Sequence, residues 1–419
     1  MNVLIKQAKI ISPSSPLNGQ TKDILITDGI ISKIADSISD KSDQVIEQDG
    51  LCVSIGWMDT FADFADPGFE YKESIETGAS AAAAGGFTDI MLIPNSNPVV
   101  DNKAQVEYIV QKAKQVAVNI HPIGAVTKQT GGKELSEMYD MRQSGALAFS
   151  DGIHPIQNSG LLLKSLQYVK SFDGTVIQIP DDTSIGANGL MNEGIISTQM
   201  GLPGKPAMAE ELLVARDIKL TRYADSKLHF TGVSSPKSLE YIKRAKEGGI
   251  NITCSVTPYQ VFFCDEDLQQ YDTNLKLNPP LRNRADMLAI RKALTEGYID
   301  CVASHHMPQH WDSKTCEFEY AKPGMIALET MFAVITTNGL PVETFVNMQT
   351  VNTRNIFGLA IPEIKEGATA CLSLFLPTAE FSFDETMIHS KSKNTPFIGK
   401  KLKGKIVGII NKSQIHLNS

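Results

Sequence analysis

Three histidines lie close together at His305, His306 and His310, directly after an apolar run at 299–303 that is typical of a β-strand. Imidazole nitrogens are common zinc ligands, so a metal site is one interpretation of this cluster. The other is a polar loop that holds no metal, because adjacent residues on an extended segment point to opposite faces. The spacing alone leaves both interpretations open.

Two pairs of adjacent carboxylates are candidates for moving protons. They are Asp181 with Asp182, and Glu210 with Glu211. Acidic side chains are favourable in the first turn of a helix, and exposed charges need no catalytic role. We therefore expect a solvated surface or a helix N-terminus for both pairs.

The elements that would position these residues alternate along the middle of the chain. Apolar runs of strand length include 89–93, 175–179, 227–231 and 299–303. Amphipathic segments of helical length include 209–223, 236–247 and 285–296. This alternation predicts an α/β fold with a parallel sheet, and its length favours an eight-fold β/α barrel. No glycine-rich phosphate-binding motif follows a strand, which argues against a nucleotide-binding sheet.

Both ends of the chain are typical of β-structure. The first fifty residues alternate in short apolar runs separated by turn residues, and the last fifty contain similar runs at 370–375 and 404–410. Chain termini often lie close together in space. We therefore predict one composite β domain from residues 1–54 and 361–419, beside a barrel domain at 55–360.

Composition narrows the range of partners and locations. The chain has 419 residues, 42% of them hydrophobic, and a formal net charge of -8. It lacks a broad basic surface, so we expect neither nucleic acid nor membrane as a partner. It also lacks an apolar run of spanning length, which predicts a cytoplasmic location. Its six cysteines form no C-x-x-C pair and are expected to be reduced thiols.

Several short motifs carry a family resemblance. They are Pro94–Pro98, Ala148–Gly152, Gly201–Pro206, Tyr271–Asn274, Asn278–Arg282 and Ser390–Phe397. With them, the chain strongly resembles the class I dihydroorotases of the amidohydrolase superfamily from its first strand to its last. The resemblance implies a (β/α)8 TIM-like barrel, a small β-sandwich built from both termini, and a relation to pyrimidine biosynthesis.

The resemblance also implies where catalytic groups belong, at the carboxyl ends of barrel strands. Active members use metal-bound hydroxide and a proton-transferring carboxylate. The matching positions here are Phe61, Asp63, Asp151, Ile179, Gly232 and His305. Only Asp63, Asp151 and His305 carry a donor atom, and His305 stands where the family has its catalytic aspartate. We therefore expect no catalytic residue among them.

A catalytic zinc normally takes at least three protein ligands, with imidazole prominent among them. We therefore expect no metal cofactor. Zinc enters only in the alternative in which Asp63, Asp151 and the His305 region form an altered, possibly mononuclear site.

Substrate contacts are weakened in the same way. Asn95 and Asn278 match family positions that help to hold the substrate, but Ala65 stands where the family has a substrate-binding arginine. The two asparagines are expected to be vestigial binding residues or structural turn residues.

Two phenylalanines lie at or near the first ligand position, Phe61 at the position itself and Phe64 three residues later. Phe61 and Phe64 would either fill the space that the metals leave or pack into the barrel wall. The sequence leaves these alternatives open.

Our functional hypothesis is a catalytically inactive dihydroorotase homologue that acts as a structural or regulatory partner of the catalytic subunit of aspartate transcarbamoylase. The resemblance supports this hypothesis because the family includes inactive dihydroorotase-like subunits that assemble with that enzyme. The alternative is an active dihydroorotase, or another cyclic amidohydrolase, with an altered metal site. A homodimer is expected because such barrels commonly associate.

Overall fold

The computed structural model describes residues 2–418, and its secondary structure forms two large sheets with helices around one of them. The strands are β1 (Asn2–Ile10), β2 (Thr21–Thr27), β3 (Ile30–Ala35), β4 (Gln44–Ile46), β5 (Cys52–Ile55), β6 (Trp57–Ala62), β7 (Phe87–Leu92), β8 (Asn119–Gly124), β9 (Ala148–Phe149), β10 (Thr175–Gln178), β11 (Met191–Asn192), β12 (Gly204–Lys205), β13 (Lys227–Phe230), β14 (Ile252–Val256), β15 (Cys301–Val302), β16 (Cys371–Ser382), β17 (Lys401–Asn411) and β18 (Gln414–Leu417). The helices are α1 (Ile75–Ala84), α2 (Lys103–Lys112), α3 (Met138–Gln143), α4 (Ser159–Lys170), α5 (Ile195–Met200), α6 (Met208–Ala224), α7 (Pro236–Glu247), α8 (Arg284–Thr295), α9 (Met331–Thr337), α10 (Val342–Asn347) and α11 (Thr353–Phe357).

The first sheet joins the two ends of the chain. Its strands run in the order β18-β17-β16-β5-β1-β2-β3, with β4 paired to β1. Strand β5 is the link, because it pairs with β1 through Lys9 and Cys52 and with β16 through Ile55 and Leu372. Alternating side chains of these strands form one apolar core. The division at residues 54 and 361 into two domains stays a prediction.

The second sheet is the predicted barrel. Eight parallel strands run in the order β15-β14-β13-β10-β9-β8-β7-β6. A parallel bridge between Ala62 and His306 joins the first strand to the segment after the last one. The fold class expected from the sequence is therefore confirmed, with the ends of β6 and β15 side by side.

The predicted helices form with small shifts at their ends. The segment at 236–247 is α7, and it starts where the Ser235 side chain accepts from the backbone N–H of Lys237 and a proline occupies the first turn. The segment expected at 285–296 is α8, capped by Asn283. Of the strand expected at 299–303, only Cys301–Val302 has regular pairing.

The barrel interior has an apolar part and a polar part. Inward-facing residues of β6 to β10, with Ile179 directly after β10, form an apolar cluster that also includes Phe61 and Met91. Strands β13 and β14 instead direct hydroxyl and imidazole side chains inward. No helix within residues 2–418 is long and apolar enough to cross a membrane.

Candidate functional site

The carboxyl end of the barrel brings three of the predicted positions into contact. Phe61, at the end of β6, is fully buried, and its ring centroid lies 4.5 Å from that of His305. Gly232 follows β13 with φ +70°, and a Cβ there would lie 2.7 Å from Cε1 of His305. The His305 ring therefore fills the space beside Phe61 into which a longer residue at 232 would extend.

His305 is held by a hydroxyl group. Its Nε2 lies 2.8 Å from Oγ1 of Thr231, and the residue itself has a φ of 45°. Burial lowers the pKa of His305 to about 3, so the imidazole is neutral at physiological pH. The resemblance implies an aspartate at this position, which would transfer a proton during catalysis. His305 provides a neutral imidazole there and no carboxylate.

The carboxylates at two of the implied ligand positions, Asp63 and Asp151, accept hydrogen bonds from neighbouring backbone and hydroxyl groups. Asp63 Oδ1 accepts from the N–H of Ala65 at 2.7 Å. Asp151 accepts from both the N–H and the hydroxyl of Thr127, at 2.8 and 2.5 Å. Burial raises the pKa of Asp151 to about 6 and also raises that of Asp63. Asp63 thus stabilises a local turn and Asp151 joins two loops of the barrel, and neither carboxylate contacts His305.

Ile179 completes the set of changed positions. It is 3% exposed and belongs to the same apolar cluster as Phe61. Neither side chain carries an atom that binds a metal. Within residues 2–418 no three His, Cys, Asp or Glu side chains converge on a point that a metal ion could occupy. The donor set therefore does not fit the two-metal centre that the resemblance implies.

The two phenylalanines take one predicted role each. Phe61 fills the barrel interior, as described above. Phe64 points outward, where it packs so closely on α1 that a Cβ at Gly78 would lie 2.5 Å from its ring. The alternatives left open by the sequence thus both occur, at different residues.

The histidine cluster does not converge. His306 Nδ1 accepts from the N–H of Ala327 at 3.2 Å, and its Nε2 lies 3.5 Å from Glu73. His310 lies 3.3 Å from Asp312. These partners differ from that of His305, as expected for adjacent residues that point to opposite faces.

The asparagines proposed for substrate make contacts within the protein. Asn95 donates to the backbone carbonyl of Asp151 and accepts from the N–H of Ile153. Asn278 accepts from Lys205 Nζ at 3.2 Å, and that lysine also pairs with Asp181 at 2.5 Å. Ala65 is 2% exposed, in a tight turn with φ 55°. The vestigial substrate role of Asn95 and Asn278 stays a prediction.

For Asp181 the expectation of a solvated surface or a helix N-terminus is wrong, because this residue is 6% exposed, lies outside every helix and is buried with Lys205 as its partner at 2.5 Å. For Glu210 the helix N-terminus is confirmed, but the burial was not expected. Glu210 lies in the first turn of α6, as expected, but it is only 2% exposed and is not on a solvated surface. It accepts from the N–H groups of Ser234 and Ser235 and pairs with Arg282 at 3.3 Å. It is buried because β13 ends against the start of α6, where two backbone N–H groups need an acceptor.

Sequence reasoning missed a file of polar side chains inside the barrel. The file consists of Thr253, His229, Ser255, Thr231 and His305, joined in that order by hydrogen bonds of 2.9, 3.2, 3.0 and 2.8 Å. The signal was present, because His229 with Thr231 and Thr253 with Ser255 are spaced two apart on adjacent strands.

The barrel with its composite sheet defines the class of fold, that of the amidohydrolase barrels. The solved L-hydantoinase (dihydropyrimidinase) from Arthrobacter aurescens superimposes with a TM-score of 0.84 at 20% identity, covering 100% of this chain and 97% of that chain. A D-hydantoinase structure superimposes with a TM-score of 0.82 at 19% identity, covering 100% of this chain and 95% of that chain. Likeness at these identities establishes the fold alone.

Sequence comparison gives the family. The family model described as dihydro-orotase-like matches residues 52–238. A protein of Geobacter sp. (strain M21) named dihydroorotase is 38% identical over 99% of both chains, and one of Acetivibrio thermocellus with the same name is 40% identical over 96% of both. This chain belongs to the dihydroorotase family.

Proposed function

We propose that this chain is a member of the dihydroorotase family that does not catalyse the hydrolysis of dihydroorotate and that acts as a structural or regulatory subunit. The observation that carries the proposal is the contact between Phe61 and His305 beside Gly232. Three positions that would supply metal ligands or the proton carrier instead pack against one another. Hydrolysis of a cyclic amide needs an activated water; Phe61 and Gly232 carry no atom that could hold a metal, and a pKa of about 3 makes the His305 ring a weak base.

The maintained fold supports a role as a scaffold. Buried contacts join distant parts of the chain, including those from Ser390 and Lys391 to Glu73 and the pair of Arg354 with Asp89 at 2.8 Å. Such contacts have no direct part in the hydrolysis itself. A subunit with a structural role needs a stable fold but no catalytic site, and these contacts stabilise the fold.

The catalytic subunit of aspartate transcarbamoylase is the partner that we propose. We propose this partner because of the resemblance, since inactive dihydroorotase-like subunits of the family assemble with that enzyme. Large exposed aromatic side chains at the rim of the barrel mouth, Trp311 at 66% and Tyr71 at 55%, are of the kind that dominates binding at protein interfaces.

Metal content and turnover test the catalytic half of the proposal. The protein is produced with zinc supplied, and its metal content is measured by inductively coupled plasma mass spectrometry. We expect less than about 0.1 metal per chain and no hydrolysis of dihydroorotate. One or two tightly held metals together with turnover would overturn the proposal.

Co-expression with the aspartate transcarbamoylase of the same genome tests the partner. We expect a stable complex in size-exclusion chromatography with light scattering at about 1 μM, because specific protein complexes persist at that concentration. The double variant Trp311→Ala/Tyr71→Ala is expected to weaken the complex. The control is Tyr223→Ala, at an aromatic residue on α6 that is 76% exposed. Separate elution of the two wild-type proteins would contradict the proposed partnership and would leave the metal result unaffected.

The names of the relatives favour a second candidate, an active enzyme with an altered site. Proteins 38% and 40% identical over nearly the whole chain are named dihydroorotase. In this reading Asp63, Asp151 and His305 would leave their present partners to hold a single zinc. A second gene in the same genome with an intact His-x-His motif would favour the inactive reading, and its absence would favour the active one.

A further inference from the structure

A cavity of about 430 Å³ opens at the amino end of the barrel, opposite the end that carries the changed ligand positions. Its walls include the first residues of two strands, Thr175 and Lys227, and residue Asn251 just before β14. Helix α11 contributes Asn355 and Ile356. Its volume lies within the range of small-molecule sites in proteins.

The charged groups of the wall already have partners. Lys227 pairs with Asp173 at 2.6 Å. Asp300 accepts from Lys246 Nζ at 2.5 Å and from the N–H of Cys254 at 2.7 Å. The wall thus presents no unpaired charge, so an ion entering the cavity would lose hydration without gaining a free counter-charge. A neutral ligand is favoured.

Two amides of the wall are free for such a ligand. The side chains of Asn251 and Asn355 make no hydrogen bond to any residue from 2 to 418, and each offers an N–H donor beside a carbonyl acceptor. This pattern is complementary to the edge of a heterocycle that has adjacent N–H and C=O groups, as when asparagine pairs with a base edge. Leu228 and Ile356 add apolar surface for the face of a ring.

The cavity is connected to His305 by the polar file. Thr253, which lines the cavity, bonds to His229, and the chain continues through Ser255 and Thr231 to His305. Burial lowers the pKa of both His229 and His305 to about 3, so each ring is neutral, with one donor and one acceptor nitrogen. Each member of the file therefore has one proton to donate, either toward the cavity or toward His305.

We propose that this cavity binds a neutral nucleoside or a similar heterocycle with an amide edge, and that its binding reverses the direction of the hydrogen bonds along the polar file. The Ser255 hydroxyl donates its hydrogen bond to Thr231. Each member of the file therefore donates to the next one, in the order from Thr253 to His305. A ligand carbonyl that accepts the Thr253 proton forces His229 Nδ1 to donate instead. The reversal ends at His305, where Nε2 changes from acceptor to donor. This proposal does not depend on the catalytic status of the protein.

Titration of the full-length protein with uridine tests the binding step. We expect saturable heat in calorimetry with a Kd between about 10 μM and 1 mM. The double variant Asn251→Ala/Asn355→Ala is expected to weaken binding about tenfold or more, since it removes two hydrogen-bonding partners. The control is Asn188→Ala, an exposed asparagine at the opposite end of the barrel. No saturation up to about 10 mM, or equal binding by the double variant, would overturn the proposal.

Nuclear magnetic resonance of protein labelled at histidine tests the relay. The ¹⁵N shifts of both His305 ring nitrogens are expected to exchange their donor and acceptor values when uridine binds, because the tautomer changes. In Thr253→Val, which lacks the first hydroxyl of the file, uridine is expected to bind while the His305 signals stay unchanged. If His305 in the wild-type protein does not respond to bound uridine, the relay is wrong.

Discussion

At the scale of single residues, the changes at the barrel mouth depend on one another. His305 occupies the space beside Gly232, and Phe61 stacks on the face of His305 with ring centroids 4.5 Å apart. A residue with a Cβ at 232 would need the His305 ring to move. The resemblance implies a family ligand at 232 and the family aspartate at 305; on that alignment the two changes are linked, because a longer residue at 232 would meet the His305 ring.

This dependence predicts the effect of Gly232→His. The substitution places a histidine where the resemblance implies a family ligand, yet we expect it to lower the free energy of unfolding by roughly 1–3 kcal/mol through overpacking. Metal content is expected to stay unchanged. Urea unfolding provides the measurement, with Gly249→His as control, because Gly249 has a similar φ of +75° and open space around its Cβ position. Equal losses in the two variants would show that backbone strain and not the His305 contact is responsible.

Asp151 predicts a dependence of stability on pH. Burial raises its pKa from an ordinary 3.8 to about 6, against the hydrogen bonds from Thr127. A folded pKa above the unfolded one gives a stabilising contribution that is present at low pH and is lost as pH rises from about 4 to 6. The unfolding free energy of the wild type minus that of Asp151→Asn should therefore fall by up to about 3 kcal/mol across this range.

An exposed carboxylate provides the matched control for that pH series. Asp384 accepts hydrogen bonds from Thr386, and these lower its pKa. Its contribution is present at high pH and is lost as pH falls, so Asp384→Asn should give a slope of opposite sign. The same sign in both variants would contradict the assignment of a raised pKa to Asp151. Urea titrations at each pH give the required free energies.

At the scale of secondary-structure elements, the periodicity of apolar residues predicted the helices and strands, but the sequence did not predict the contacts between them. Helix α7 has the bounds expected from its pattern, because apolar period and capping residues agree on where it begins and ends. Strand alternation predicted the barrel for the same reason. The partners of Glu210 were not predictable, since Ser234 and Arg282 are far from it in the sequence and only packing brings them together.

The site shows the same limit. The sequence was sufficient to identify Phe61 and Ile179 as residues without donor atoms, because side-chain chemistry does not depend on packing. It could not reveal that Asp151 is occupied by Thr127, which is a contact between two barrel loops. Nor did it reveal the polar file, because the register of β13 against β14 decides which inward side chains meet.

The contact of Arg282 with Glu210 predicts how firmly α6 and the loop before α8 are held together. Arg282 also donates to Ser234 and Asn192, and both charged side chains are at most 3% exposed. Breaking a buried pair leaves an uncompensated charge, so Arg282→Ala should cost about 3–5 kcal/mol of unfolding free energy. Arg284→Ala, which removes an exposed pair with Glu266, should cost at most about 1 kcal/mol. Comparable losses in urea unfolding would contradict this difference.

At the scale of the whole molecule, the two chain ends form one sheet and also support the barrel. Strand β17 packs on α9 and contacts α1, and Asn418 donates to the backbone carbonyl of Ala84 at the end of α1. Trp57 at the start of the first barrel strand lies 5.1 Å from Phe375 of β16, ring centroid to ring centroid. The sheet and barrel therefore share a continuous apolar contact.

Because of that shared contact, removal of the C-terminal strands should unfold more than their own sheet. Deletion of residues 371–419 exposes the apolar faces of β1, β5 and α9, and we expect loss of cooperative unfolding and aggregation. Circular dichroism during thermal unfolding, with size-exclusion chromatography, measures both effects. Deletion of residues 413–419 alone removes an edge strand and should leave a cooperative transition at lower temperature. A monomeric, cooperatively folded barrel after the larger deletion would mean that the barrel stands alone, with the composite sheet as an independent attachment.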